Sequence, residues 1–116
     1  MLRGIDHLYA ETRRWEESVA FWEGLGFRFE EQWGSDGHRA GRLRAADARV
    51  VLAEVDDGTP ALTVVFDLND ADSFEPGTAV EVTARLAAPH WGTRWIRVRD
   101  PDGRSFALEE APEGAG

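Results

Sequence analysis

The side chains of this chain that could do chemistry are few and widely spaced. Histidines stand at 7, 38 and 90, and Glu54 is a carboxylate that folding could bring to one of them. An imidazole and a carboxylate within hydrogen-bond reach can pass a proton, so His7 with Glu54 is a candidate acid–base pair. There is no cysteine, which excludes disulfides, thiolate metal sites and a cysteine nucleophile. No Ser-His-Asp arrangement is visible. The "GLGF" at 24–27 closes a helix instead of opening one, so it does not cradle a phosphate. Asp100 and Asp102 are explained by turn chemistry. Flat aromatic area is plentiful, with five tryptophans; Trp15 and Trp22 belong to a helix stripe, while Trp33 and Trp91 border turns.

These residues need elements to hold them. In "RGIDHLYAE", alternation sends Ile5, His7 and Tyr9 to one face of a first strand and Leu8 and Ala10 to the other. In "RRWEESVAFWEGLGF", Trp15, Val19 and Trp22 recur at helical spacing, Glu16 and Glu17 suit the N-terminal end, and Gly24 or Gly26 supplies the left-handed stop. "FRFEEQW", "HRAGRLRA" and "RVVLAEV" read as three antiparallel strands. Residues 56–60, "DDGTP", form a linker between a first unit (1–56) and a second (61–110). The second unit reads as strands "ALTVVFDL", "TAVEVTARL", "TRWIRVR" and "RSFALEE", the last two joined by a type I turn at "DPDG". The tail 111–116 is expected to be disordered.

Two similar units imply an internal duplication with one difference. Between its first and second strands the second unit offers only "NDADSFEPG", too short for the helix of the first. Leu62, Val64, Phe66 and Leu68, beside Ile96, Val98, Phe106 and Leu108, would then form an apolar face needing another cover. Phe74 could plug part of it, and a second subunit the rest, so a homodimer is expected.

Composition narrows the partners. At 116 residues the chain suits one domain, and a net charge of −9 disfavours nucleic acid and anionic membranes while permitting cationic ligands. No apolar run spans a bilayer and the N-terminus does not read as a signal peptide, so a cytoplasmic location is expected.

The early "HLYAETRRWEESVAFWEGLGF" and late "WGTRWIRVRDPDGRSFALEE" together resemble the vicinal-oxygen-chelate superfamily, which includes glyoxalase I, extradiol dioxygenases and bleomycin-resistance proteins. The resemblance spans essentially the whole chain. It implies an α+β fold in which paired βαβββ modules form an open mixed-sheet barrel around a cavity, the second module here lacking its helix or keeping it shortened. It also implies four inward strand positions that in metal-dependent members carry His or Glu. These fall on His7, which lies eleven residues before the helix Ser18, then on Glu54, subject to a one-residue register, on Thr63 and on Ala107.

Alanine cannot ligate, so the family's metal chemistry is expected to be lost and no cofactor is expected. The alternative is a lyase, isomerase or dioxygenase with a partial or relocated site for zinc, nickel, manganese or iron, built from His7, Glu54, His90 and Glu109. Without a metal, the cavity lining matters more. His7, Tyr9, Thr63, Trp91, Trp95, Arg97, Ala107 and Glu109 are the candidate ligand-binding residues, with Val65, Asp67 and Ser105 beside them. The preferred expectation is a binding protein similar to the bleomycin-resistance branch. Such a protein confers antibiotic resistance by sequestering a drug or natural product, here a cationic or aromatic one.

Overall fold

A computed structural model describes residues 2–88 and 93–110 of the chain. Its elements are β1 (Leu2–Thr12), α1 (Trp15–Gly24), β2 (Arg28–Trp33), β3 (Ala40–Ala45), β4 (Ala48–Glu54), β5 (Leu62–Leu68), β6 (Glu81–Ala88), β7 (Thr93–Arg99) and β8 (Ser105–Glu110). The class is α+β, as the sequence implied. The chain divides into two compact units, one covering His7–Thr63 and the other formed by the residues up to Asp6 with those from Val64 onward. The Arg3–Asp67 ion pair, at 3.0 Å, ties the start of β1 to the second unit. The expected tail at 111–116 lies outside the described residues, as do His90 and Trp91.

In the first unit the strand order is β2-β3-β4-β1, antiparallel except for β1, which runs parallel to β4. Its core lies on one face of that sheet, where Ala10, Leu43, Val50 and Leu52 meet Trp15, Val19 and Trp22 of α1. The helix stripe read from the sequence is therefore the stripe that packs. Fully burying apolar side chains of this size stabilises by about 1.5–3 kcal/mol each. The entry to α1 is held by Thr12, whose hydroxyl accepts the Arg14 N–H at 2.9 Å and shares a hydrogen with Ser18 Oγ at 2.6 Å. Glu16 and Glu17 lie in its first turn. At the other end Gly26, with φ at +106°, is the left-handed residue that stops it. Gly41 has a different duty: a Cβ there would stand 2.5 Å from the Phe29 ring, so the glycine makes room for an aromatic of the core.

The second unit repeats the pattern as β6-β7-β8-β5, with β5 parallel to β8. Its core comprises Leu68, Ala71, Ile96 and Leu108, with Phe66, Phe74, Val82 and Val98 packed against them. Of the apolar face expected from alternation, Phe66, Leu68, Ile96, Val98 and Leu108 belong to this core, while Leu62 is largely exposed. Residues 69–80 form turns and no helix. Phe74 plugs part of the face, as its sequence position implied. The "DPDG" turn closes β7 to β8: Gly103 N–H donates to Asp100 O at 3.0 Å, and Asp100 Oδ1 accepts the Asp102 and Arg104 N–H groups.

Candidate functional site

The two registers place the four inward positions. In the first unit Tyr9 pairs with Val51, which faces Arg42; in the second, Val65 pairs with Ala107, which faces Arg97. The units thus correspond residue by residue. Tyr9 matches Val65, His7 matches Thr63, and Ala107 matches Val51. The position in the first unit that corresponds to Ala107 is thus Val51, and neither valine nor alanine has a donor atom.

The assignment of Glu54 to this set is corrected by the same register. Glu54 pairs with Thr12 and shares its face with Leu52 and Val50, the face that α1 covers. His7, one residue before Leu8, points to the other face. The two cannot share a metal or exchange a proton.

Glu54 is also fully engaged. Arg39 grips it bidentately, Nε to Oε1 and Nη2 to Oε2, both at 2.9 Å, and the Arg39 N–H adds a third bond at 3.1 Å. These bonds hold the Glu54 pKa well below the usual carboxylate range, at about 2. The Arg39 guanidinium lies 5.5 Å from the Trp15 ring centroid, so the pair sits against the helix.

Arg94 and Glu110 are the matching pair in the second unit. Arg94 reaches Glu110 with Nε at 3.0 Å and with Nη2 at 2.8 and 2.9 Å, while its Nη1 donates to Asp72 at 2.6 Å. Glu110 also accepts the Ala71 N–H at 2.5 Å. Asp72 is held below its ordinary pKa by the Arg94 hydrogen bond, and Arg94 is raised by Asp72 first and Glu110 second. The network pins the start of the 69–80 segment onto the sheet, where the first unit has a helix.

Of the candidate ligand-binding residues, Thr63, Trp95, Arg97, Ala107 and Glu109 fall on the other face of the β5-β8-β7 strands, and Trp91 lies outside the described residues. Asp67, Glu109, Trp95 and Leu86 form one cross-strand row, and Val65, Ala107, Arg97 and Ala84 form the next. Thr63 shares the Val65 and Asp67 face of β5. Val65 and Ala107 are buried, Arg97 is exposed, and Asp67 takes the Arg3 guanidinium. The Trp95 indole N–H is buried and has no acceptor among the described residues. His7 and Tyr9 belong to the first unit; they and Glu109 each have an interaction of their own. Among the described residues no group of three or more His, Asp or Glu side chains is placed to hold a metal. Val51 and Ala107, the matching positions on β4 and β8, carry hydrocarbon and give a divalent ion no ligand.

The described residues also line a cavity of about 480 Å³ on the helix-less face of the second unit. Its lining is Leu2, Phe66, Phe74, Glu75, Pro76, Gly77, Val80, Val98, Phe106 and Leu108. None of the ligand-binding residues expected from the sequence is among these. Its floor was legible as an uncovered apolar face, whereas Pro76 and Val80 reach it through backbone turns that no periodicity encodes, and Leu2 comes from the start of β1.

No family model matches the sequence, and no curated protein matches it. Solved structures do match. A glyoxalase/bleomycin resistance protein/dioxygenase superfamily member from Vibrio splendidus 12B01 superposes with a TM-score of 0.70 at 16% identity, covering 95% of this chain and 99% of that one. A methylmalonyl-CoA epimerase gives 0.65 at 13% identity, covering 94% and 95%. A glyoxalase I variant from Zea mays gives 0.62 at 12% identity, covering 97% of this chain and 45% of that one. The chain has the vicinal-oxygen-chelate fold. At these identities the likeness is one of fold, and it singles out no branch. No helix among the described residues is long and apolar enough to cross a membrane.

Proposed function

We propose that this vicinal-oxygen-chelate protein binds a small organic molecule without a resident metal, holding it by contact and not by transforming it. The observation that carries the reading is the register that puts Val51 and Ala107 in two inward positions and turns Glu54 to the opposite face under Arg39. A Lewis acid needs at least three protein donors in a typical catalytic site, and these positions do not supply them. The flat indole of Trp95, its N–H buried without an acceptor among the described residues, and the exposed Arg97 in the adjoining row support an aromatic ligand that bears a hydrogen-bond acceptor. Sequestration of a drug or natural product, as in bleomycin resistance, is the role this chemistry fits, with a cytoplasmic site of action.

The test has two arms. After chelation and dialysis against zinc, nickel, manganese and iron(II), the protein is expected to retain no ion; about one tightly held ion per chain would overturn the reading. A screen of aromatic natural products by thermal shift is then expected to give ligands whose affinity falls about tenfold in Trp95→Ala. Hits recovered chemically altered would instead make the protein an enzyme.

A further inference from the structure

The cavity beneath the 69–80 segment is a second and separate site, and we propose that it takes small apolar cations. Trp95 and Arg97 alternate with Ile96 and Val98, and Ala107 and Glu109 with Phe106 and Leu108. The cavity therefore opens on the sheet face opposite Trp95, and it does not depend on the function proposed above. Its floor is Phe66, Phe106, Val98 and Leu108, on strands fixed in register, with the Phe66 and Phe106 rings 6.0 Å apart. Phe74, Glu75, Pro76, Gly77 and Val80 form its wall.

Size and charge choose the occupant. A volume of about 480 Å³ lies in the range of pockets that enclose drug-sized molecules. Every lining residue except Glu75 is apolar or glycine.

The neighbouring carboxylates Asp70, Asp72 and Glu110 all face Arg94. Glu75 makes no ion pair among the described residues and is exposed. An apolar cation can place hydrocarbon on the phenylalanine floor and its charge near Glu75 and the ring faces. The net charge of −9 favours its approach and opposes that of an anion of the same shape.

Tetraphenylphosphonium and tetraphenylborate are such a pair, alike in shape and opposite in charge. Isothermal titration of the full chain is expected to show micromolar phosphonium binding, about fivefold tighter than borate, with Glu75→Gln narrowing the gap to within about twofold. Gly77→Trp adds bulk at the cavity wall, at a backbone position where an added Cβ meets nothing within 4 Å, and is expected to abolish binding of both ions. Equal binding of the two ions, or a preference that survives Glu75→Gln, would overturn the proposal even if Gly77→Trp failed to fold. So would loss of phosphonium binding in Trp95→Ala, which would move the probe to the other face. Light scattering supplies the last outcome: a dimer that Gly77→Trp splits into monomers would show that a second copy occupies the face, and the proposal would fall.

Discussion

The two units are built on one plan and covered in two ways. Each has a parallel pair flanked by antiparallel strands. Each also has an arginine facing a glutamate across the last strand pair, Arg39 with Glu54 and Arg94 with Glu110. In the first unit α1 lies over the face bearing that pair, and Trp15 packs against both the core and Arg39. In the second unit the arginine has recruited Asp72, and Glu110 the Ala71 N–H, so that a turn segment serves as the cover. The helix fully buries Leu43, Val50 and Leu52 of its face; a pinned segment closes part of its own and leaves a cavity. The cover, more than the sheet, decides where a small molecule can lodge.

The largest expected effect breaks the better cover. Trp15→Ala should cost about 3–5 kcal/mol in urea unfolding, because a buried indole is removed from a filled core. Phe74→Ala removes a half-buried ring that already borders open space, and should cost less than half as much. Equal costs would mean that the 69–80 segment is as integral to its core as the helix is, and the contrast between the units would fail.

Glycines sharpen the same comparison at a smaller scale. Gly41→Ala puts a methyl group against the Phe29 ring and should cost about 1–3 kcal/mol by overpacking. Gly77→Ala meets nothing within 4 Å and should leave stability within about 0.5 kcal/mol of the parent. A destabilised Gly77→Ala would show that the wall of the second unit's cavity is tighter than its open space implies.

Much of this contrast is written in the sequence, and one part is hidden there. The strands and α1 are legible because Val50 and Leu52, Phe66 and Leu68, or Trp15, Val19 and Trp22 repeat at the period of their element. The missing second helix is legible as a shortage of residues. The face of Glu54 is not, because "RVVLAEV" is apolar at both parities: Val50 and Leu52 fit a core as well as Val51 and Ala53 do. Only pairing with β1 decides which parity is inward, and that pairing is tertiary. A usable signal did exist in the repeat: "RAGRLR" at 39–44 echoes "RWIRVR" at 94–99, and "VVLAE" at 50–54 aligns with "FALEE" at 106–110. Aligned so, Glu54 matches Glu110, and the inward Ala107 matches Val51.

The smallest effect tests the shared arginine–glutamate pair through pH. The Arg39 hydrogen bonds hold the folded Glu54 pKa at about 2, whereas an unfolded glutamate titrates near its ordinary value of about 4.3. A depressed folded pKa means that the unfolded chain takes up the proton first. The contribution is thus complete above the unfolded value, shrinks as pH falls from about 4.3, and is gone once pH has passed through about 2. Glu54→Gln should therefore lower the melting temperature at pH 7 by roughly 5 °C. It should also lose stability less steeply than the parent between pH 4 and 2. Melting curves of the two proteins across that window decide the point. Parallel acid limbs would mean that the Arg39–Glu54 pair adds nothing by its charge.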